Sequence, residues 1–276
     1  MRKRRFIPAA VLLAVWALPG SVPDAVATNP VAKEIQNTEE YFPDEIGSVW
    51  RYQGSSRTDA VERISEVTFA NEVSAIGTTN IKGETVKIFR ETNQGNKGPS
   101  DGFFRRDKTG ITYYGSQPTT PFEQQLIPYR VLLFPLIMEG AFRQLEKKDV
   151  DMQADLDGDS RHERADVVAD VRVSAHTPVT VPAGTFSDAV QIDASMTIVI
   201  TLTKSRRVIT SRDRITSWFA RGVGLVKYVE EIEAPPVMET RGEVTHVSEE
   251  LESYTLKGTV GAQSSSAPSP LPPGRL

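Results

Sequence analysis

The sequence contains no cysteine in its 276 residues and only three histidines. Without thiols the chain has no disulfide bond, iron–sulfur cluster or cysteine-ligated zinc, so its stability must come from a packed core. The three histidines, His162, His176 and His246, do not stand at the i, i+4 spacing of a helical metal site. Phosphate-binding glycine loops and the G-x-S-x-G nucleophile motif are also missing from the sequence. We therefore predict that the protein is not an enzyme, with an unrecognised hydrolase as the alternative.

The N-terminus has the order of residues that marks a secretory signal peptide. Four basic residues at positions 2–5 precede an apolar segment, residues 6–18, that is shorter than the ~20 residues of a membrane-spanning helix. Ala25 and Ala27 then form a small-residue cleavage pattern, with Thr28 as the first mature residue. We predict a signal peptide over residues 1–27, a periplasmic or secreted protein, and no stable transmembrane segment after cleavage. An uncleaved N-terminal anchor is the alternative.

The charge of the mature chain bears on its partners. Residues 1–27 contain four basic residues and one acidic residue, so their removal takes the formal net charge from −4 to −7. A nucleic-acid-binding protein needs a basic face to neutralise phosphates. The acidic balance therefore predicts that the protein does not bind nucleic acid.

Composition divides the mature chain into three parts. Residues 28–45 are a polar leader, and residues 46–257 have the strand patterns of a single β domain. Residues 258–276 are rich in serine, proline and glycine, and they have too few apolar side chains to offset the entropy lost on ordering. We predict that this last segment is a disordered tail.

The strongest pattern in the chain lies in residues 190–203. Its even-numbered residues are all apolar: Val190, Ile192, Ala194, Met196, Ile198, Ile200 and Leu202. Its odd-numbered residues are polar apart from Val199. Successive side chains of a strand point to opposite faces, so this alternation predicts a long strand with one buried face. Residues 164–174 repeat the pattern, and burial of one face only is typical of an antiparallel sheet.

The rest of the domain also reads as strands. We predict them near residues 48–57, 61–70, 82–92, 102–107, 110–115, 206–220, 223–233 and 242–256. Residues 121–143 differ, because they mix apolar residues with Pro128 and Pro135, and they predict a buried, partly helical connector. Strands as long as residues 190–203 usually coil and curve. The fold class is therefore mostly β, with one long curved antiparallel sheet.

Three segments together carry a resemblance to a known group. They are residues 41–52 (YFPDEIGSVWRY), 179–186 (VTVPAGTF) and 218–226 (WFARGVGLV). In this order they resemble a group of uncharacterised exported bacterial β proteins, and more distantly the open half-barrel of the lipoprotein carriers LolA and LolB. The resemblance implies a half-barrel that holds acyl chains or lipoproteins on its concave face. The chain has no lipobox cysteine, in which it departs from membrane-anchored members.

The apolar face of the predicted sheet gives the first candidate site. It is larger than short helical segments can cover, so a lipid-like or other apolar ligand is expected to complete it. The predicted lining consists of Val190, Ile192, Met196, Ile198, Ile200, Trp50 and Tyr52. A structural role in the core is the alternative for these residues.

An acidic segment gives the second candidate site. Asp155, Asp157 and Asp159 stand two residues apart with Gly158 among them, and carboxylate oxygens at this spacing suit calcium. An EF-hand with Gly158 at its sixth position would need glutamate where Arg164 stands, so the segment is not an EF-hand. We predict a solvated acidic turn and no cofactor. Calcium bound at the three aspartates is the alternative.

Two functions follow from these patterns. The first is an exported, non-enzymatic binding protein that holds a lipid-like or other apolar ligand on the concave face of its sheet. The second is a secreted structural or adaptor module that docks another protein of the cell envelope.

Overall fold

A computed structural model of the chain describes residues 33–60, 63–238, 241–258 and 264–265. The predicted signal peptide, the first residues of the leader and nearly all of the predicted tail lie outside these ranges.

The described chain is mostly β, as predicted. The strands before the connector are β1 (Val49–Ala60), β2 (Arg63–Ile81), β3 (Glu84–Glu91), β4 (Ser100–Asp107) and β5 (Gly110–Gln117). One helix, α1 (Pro121–Leu126), and strand β6 (Tyr129–Leu133) occupy the connector. The later strands are β7 (Ala141–Asp151), β8 (Arg164–Val181), β9 (Gly184–Thr201), β10 (Val208–Ala220), β11 (Gly224–Ala234), β12 (Glu243–Thr255) and β13 (Ser264–Ser265). Two 3-10 turns complete the described elements, Thr38–Tyr41 and Gln94–Asn96.

Twelve strands form a single antiparallel sheet that nearly closes into a barrel. The order across the sheet is β6-β5-β4-β3-β2-β1-β12-β11-β10-β9-β8-β7, and β13 pairs with the end of β12. The predicted long curved sheet with a partly helical connector is therefore confirmed. The sheet curls further than an open half-barrel, so that β6 and β7 face each other across one seam.

The alternation of β9 positions the largest part of the core. All seven even-numbered residues from Val190 to Leu202 are buried, and Val199 on the other face is exposed. The matching residues of β8, from Ala165 to Val173, are buried beside them. Side chains of α1, β5 and β6 pack against the apolar face of these two strands across the interior of the near-closed sheet.

Three strands were not predicted correctly from the sequence. Strand β2 runs for 19 residues instead of stopping near residue 70, and β6 lies inside the predicted connector. Strand β7 begins at the end of that connector and continues through residues for which no strand was predicted. Strand β7 has register shifts between Arg143 and Leu145 and between Lys147 and Val150. Each shift breaks strict alternation, which is the signal that the sequence reading used.

A short helix closes the seam between β6 and β7. Thr120 caps α1, with its hydroxyl oxygen accepting the N–H of Glu123 at 3.1 Å, and Phe122 and Leu126 are buried in the core. The amide group of Gln125 bonds the backbone of Asp151 twice, donating from Nε2 to its carbonyl at 2.8 Å and accepting its N–H at 3.0 Å. The side-chain amide of Gln125 therefore makes the pair of hydrogen bonds that a neighbouring strand would make at the edge of β7.

The segments that carry the family resemblance meet at one end of the sheet. Trp50 donates its indole N–H to the carbonyl of Val223 at 2.6 Å, and the hydroxyl of Tyr52 donates to the carbonyl of Leu225 at 2.9 Å. Gly224 has φ of +98°, and a Cβ added to it would lie 3.4 Å from Pro43 and 3.5 Å from the indole nitrogen of Trp50. This turn therefore needs glycine for both its backbone and its packing.

Replacing Gly224 by alanine is expected to destabilise the protein by about 1–3 kcal/mol, because it adds backbone strain where the Trp50 ring already packs. The free energy of unfolding in urea measures the effect. Gly77→Ala is the matched control, since its added methyl group would meet no atom within 4 Å and its φ lies outside the left-handed region. Equal stability of the two variants would contradict the role given to Gly224.

Candidate functional site

Four carboxylates gather on the inner side of the sheet. Asp213 of β10, Glu230 of β11 and Glu249 of β12 are 5%, 0% and 3% exposed. Their registers make them diagonal neighbours, because Asp213 lies opposite Ile232 and Glu230 lies opposite Val247. Glu91 at the end of β3 is close enough to Glu249 for the two carboxylates to repel each other. We call these four residues the interior acidic site.

The loop between β3 and β4 folds over the interior acidic site. The N–H of Gly95 donates to Oε1 of Glu249 at 2.7 Å, and Nδ2 of Asn71 donates to Oε2 of the same carboxylate at 3.0 Å. Nζ of Lys97 lies 3.2 Å from each oxygen of Glu230. Two hydrogen bonds hold the base of the loop. The N–H of Asn93 donates to Oδ1 of Asn71, and the N–H of Gly98 donates to Oδ1 of Asn93.

Asp213 lacks partners within the site. Both of its carboxylate oxygens are buried, and among the described residues neither has a hydrogen-bond partner. The same holds for Oε2 of Glu91. A buried carboxylate without a donor is costly, since its charged form loses hydration and gains nothing in return. The site therefore offers more acceptor atoms than its own lysine and amides occupy.

Burial governs how these carboxylates ionise. It raises the pKa of Glu91 to about 8, and repulsion from Glu249 adds to the shift. Burial also raises the pKa of Glu249, against the opposing effect of hydrogen bonds from Asn71 and the Gly95 N–H. The pKa of Asp213 lies well above its usual range because of burial and, next, repulsion from Glu230. The site consequently gains negative charge as pH rises.

The predicted apolar lining lies in the core. The seven residues Val190, Ile192, Met196, Ile198, Ile200, Trp50 and Tyr52 are each at most 5% exposed. The structure places them in three different clusters instead of one continuous strip, with Met196 beside residues of α1 and Val190 beside the leader. In this conformation the protein's own side chains cover them, which agrees with the structural role that was the alternative.

Two surface clefts flank the leader, away from that lining. One of about 590 Å³ lies between residues 34–39 and the β4–β5 turn, and one of about 470 Å³ lies beside His176 and Arg221. In the second, the guanidinium of Arg221 holds Glu40 and Asp188 at 3.2 Å each, and the ring of Tyr41 lies beneath it. These contacts fasten the leader to the sheet.

The predicted metal residues do come together. Asp155, Asp157 and Asp159 lie in the loop of residues 152–163 between β7 and β8, and one oxygen of each lies within 4.8 Å of the others. The sequence reading missed the interior acidic site and the loop residue Glu163. An acidic residue at an inward position of an alternating strand, as Glu249 is between Val247 and Leu251, is the signal that would have found the former.

Comparison with known proteins gives distant likenesses only. No protein-family model matches the chain, and no curated protein matches its sequence. A candidate lipoprotein from Parabacteroides distasonis aligns with 76% of this chain and 97% of its own, at 15% identity and a TM-score of 0.33. A candidate exported protein with a YmcC-like fold from Bacteroides fragilis aligns over the same shares at 12% identity and a TM-score of 0.31.

These likenesses are too distant to assign a function to this chain. The likeness to the lipoprotein carriers stays a prediction. None of the helices in the described ranges has the length and apolarity needed to cross a bilayer.

The interior acidic site predicts a stability that falls with pH. Glu91 keeps its proton up to a pH of about 8 when folded, against a usual value of 4.5, so the folded state binds more protons between these values. The free energy of unfolding should then fall as pH rises through this window, by up to about 1.4 kcal/mol per pH unit. Glu91→Gln should flatten the fall and be the more stable protein at pH 9.

Urea unfolding at pH 5, 7 and 9 measures this dependence. Glu72→Gln is the matched control, because the side chain of Glu72 is 40% exposed and pairs with Arg51 on the outer face of the sheet. A Glu91→Gln variant whose stability falls with pH as steeply as that of the wild type would show that Glu91 ionises normally.

Proposed function

We propose that the protein is an exported, non-enzymatic binding protein whose interior acidic site takes the ammonium group of a small ligand. The observation that carries the proposal is Asp213, whose two buried oxygens have no partner beside Glu230. An ammonium group supplies three donors and one positive charge, which is what these oxygens lack. Export is supported by the signal-peptide pattern of residues 1–27.

Lys97 supports the choice of an ammonium group. Its own Nζ lies between the two oxygens of Glu230, on a side chain that is 38% exposed and belongs to a loop. Because Lys97 is partly exposed and reaches the fully buried Glu230, we expect a ligand to enter along the position of this side chain. Lys97 then acts as a tethered cation that a ligand displaces when it binds.

Apolar side chains next to the acids favour a ligand with an apolar body. Ile215 and Val247 lie opposite Glu230 on its two neighbouring strands, and Tyr228 and Phe69 pack in the same cluster. An alkylammonium compound would satisfy both surroundings. This narrows the expected lipid-like ligand to one with a cationic end, bound between β10, β11 and β12 instead of along β9.

Isothermal titration calorimetry with hexylammonium tests the proposal. The Lys97→Ala variant should bind it at least about tenfold more tightly than the wild type, because a hydrogen bond to a charged group is worth about 1.5–3 kcal/mol and the tethered competitor is gone. Asp213→Asn in the Lys97→Ala background should reverse the gain. Binding should also strengthen from pH 6 to pH 9 as the site loses protons.

The controls separate the site from general charge effects. Lys108→Ala removes a positive charge in the β4–β5 turn and should leave the affinity of the wild type unchanged. Hexanoate has the same apolar length with the opposite charge and should not bind. If Lys97→Ala binds hexylammonium no better than the wild type, the cation site is wrong and the adaptor function becomes the better candidate.

A further inference from the structure

The loop of residues 152–163 holds a second group of carboxylates, separate from the interior acidic site. One carboxylate oxygen each of Asp155, Asp157 and Asp159 lies within 4.8 Å of the other two. Oxygens that share one calcium ion at 2.3–2.6 Å lie at most about 4.6–5.2 Å apart. A single ion between the three side chains is therefore compatible with the positions they already have.

Asp157 supplies an oxygen that nothing in the described chain uses. The residue is 6% exposed, and its Oδ1 is buried without a hydrogen-bond partner. Its other oxygen, Oδ2, accepts the N–H of Lys204 at 2.9 Å in the turn between β9 and β10. Asp157 thus holds a fixed position across two loops while one of its buried oxygens has no donor among the described residues.

Glu163 supplies a second such oxygen. It is fully buried, and its Oε1 has no hydrogen-bond partner among the described residues. Its Oε2 accepts the N–H of Leu156 at 3.2 Å, which holds the carboxylate against the part of the loop between Asp155 and Asp157. Counted from Asp155, the acids stand at positions 1, 3, 5 and 9, a spacing shared with the EF-hand, although Ser160 stands where that loop has its glycine.

Two basic side chains beside the loop are engaged elsewhere. His162 faces Asp151 with its Nδ1 at 3.2 Å, and Arg164 bonds Asp149 at the edge of β7. Asp155 accepts the N–H groups of residues 158–160, and these neutral donors fix its carboxylate without cancelling its charge. Gly158, with φ of +76°, provides the bend that turns the three aspartates toward one point.

We propose that Asp155, Asp157, Asp159 and Glu163 form a calcium site that fastens the β7–β8 loop to the β9–β10 turn. All four ligands are hard oxygens, which calcium prefers, and the buried Asp157 and Glu163 give the site two fixed members. Bound calcium removes the cost of burying two carboxylate oxygens without donors. The site therefore stabilises the end of the sheet at which β8, β9 and β10 turn.

Calorimetric titration of chelator-treated protein with calcium chloride tests the site. We expect one ion per chain with a Kd of about 10⁻⁴–10⁻³ M, as in extracellular modules. Calcium at ten times the Kd should raise the melting midpoint by about 3–6 °C. Asp159→Asn, at a partly exposed ligand, should weaken binding at least about tenfold and abolish most of that shift. Glu163→Gln should do the same and serves if the first variant does not fold.

Asp149→Asn is the matched control, because Asp149 is 75% exposed beside the loop and its carboxylate pairs with Arg164. It should bind calcium as the wild type does. No heat and no shift of the melting midpoint at 10 mM calcium would overturn the proposal, as would wild-type affinity in both ligand variants. Magnesium should bind more weakly, since it requires shorter bonds and stricter geometry. Equal affinity for the two ions would overturn the assignment to calcium.

Discussion

Every side chain on the inner face of the sheet must find a partner within the protein, because the near-closed sheet buries that face. The inward residues of β8 and β9 meet this requirement with apolar side chains alone. Those of β10, β11 and β12 do not, since each of these strands turns one carboxylate inward. The loop between β3 and β4 supplies partners for two of these carboxylates: the Gly95 N–H donates to Glu249, and the Lys97 ammonium donates to Glu230.

Near-closure also leaves a seam, and the elements outside regular strands close it. The helix α1 puts Phe122 and Leu126 into the gap and turns Gln125 toward the free edge of β7. The leader then pairs with the segment that follows β6, where the N–H of Ile35 donates to the carbonyl of Leu136 at 2.8 Å. Ile35, Tyr41 and Phe42 are buried there. A segment that is polar on average thus carries a few apolar anchors, and these tie the first described residues to the last strand before the seam.

Local patterns predicted what local physics determines. The alternation in residues 190–203 gave the strand and its buried face, because period-two burial depends only on neighbours along the chain. The grouping of the three aspartates around Gly158 was also predictable, because these residues are close together along the chain. Strand β7 was missed because its bulges break the alternation. Near-closure was not predictable either, since it depends on how twelve strands add their twist.

The interior acidic site was predictable in part, because its residues follow a local pattern but their meeting depends on the whole sheet. Glu230 and Glu249 interrupt apolar alternation in β11 and β12, so their inward direction was predictable from the sequence. Asp213 shares its face of β10 with Ser211 and Ser217, so the pattern there is weaker. That they meet depends on the registers of β10, β11 and β12, and the positions of Glu91 and Lys97 depend on a loop that folds inward. The expectation that the inner face would be uniformly apolar came from β8 and β9, which are the most regular strands in the chain.

Stability alone gives no reason for an aspartate at position 213. An apolar side chain of similar size would fit between Ser211 and Ile215 without the desolvation of a carboxylate, and replacing buried charges with apolar groups is often neutral or stabilising. Burial and, next, repulsion from Glu230 raise the pKa of Asp213 and so disfavour its charged form, but both of its oxygens remain without donors. A cation that enters the site supplies both a donor and a compensating charge. A ligand that satisfies Asp213 would therefore also raise the free energy of unfolding, because it binds only the folded sheet.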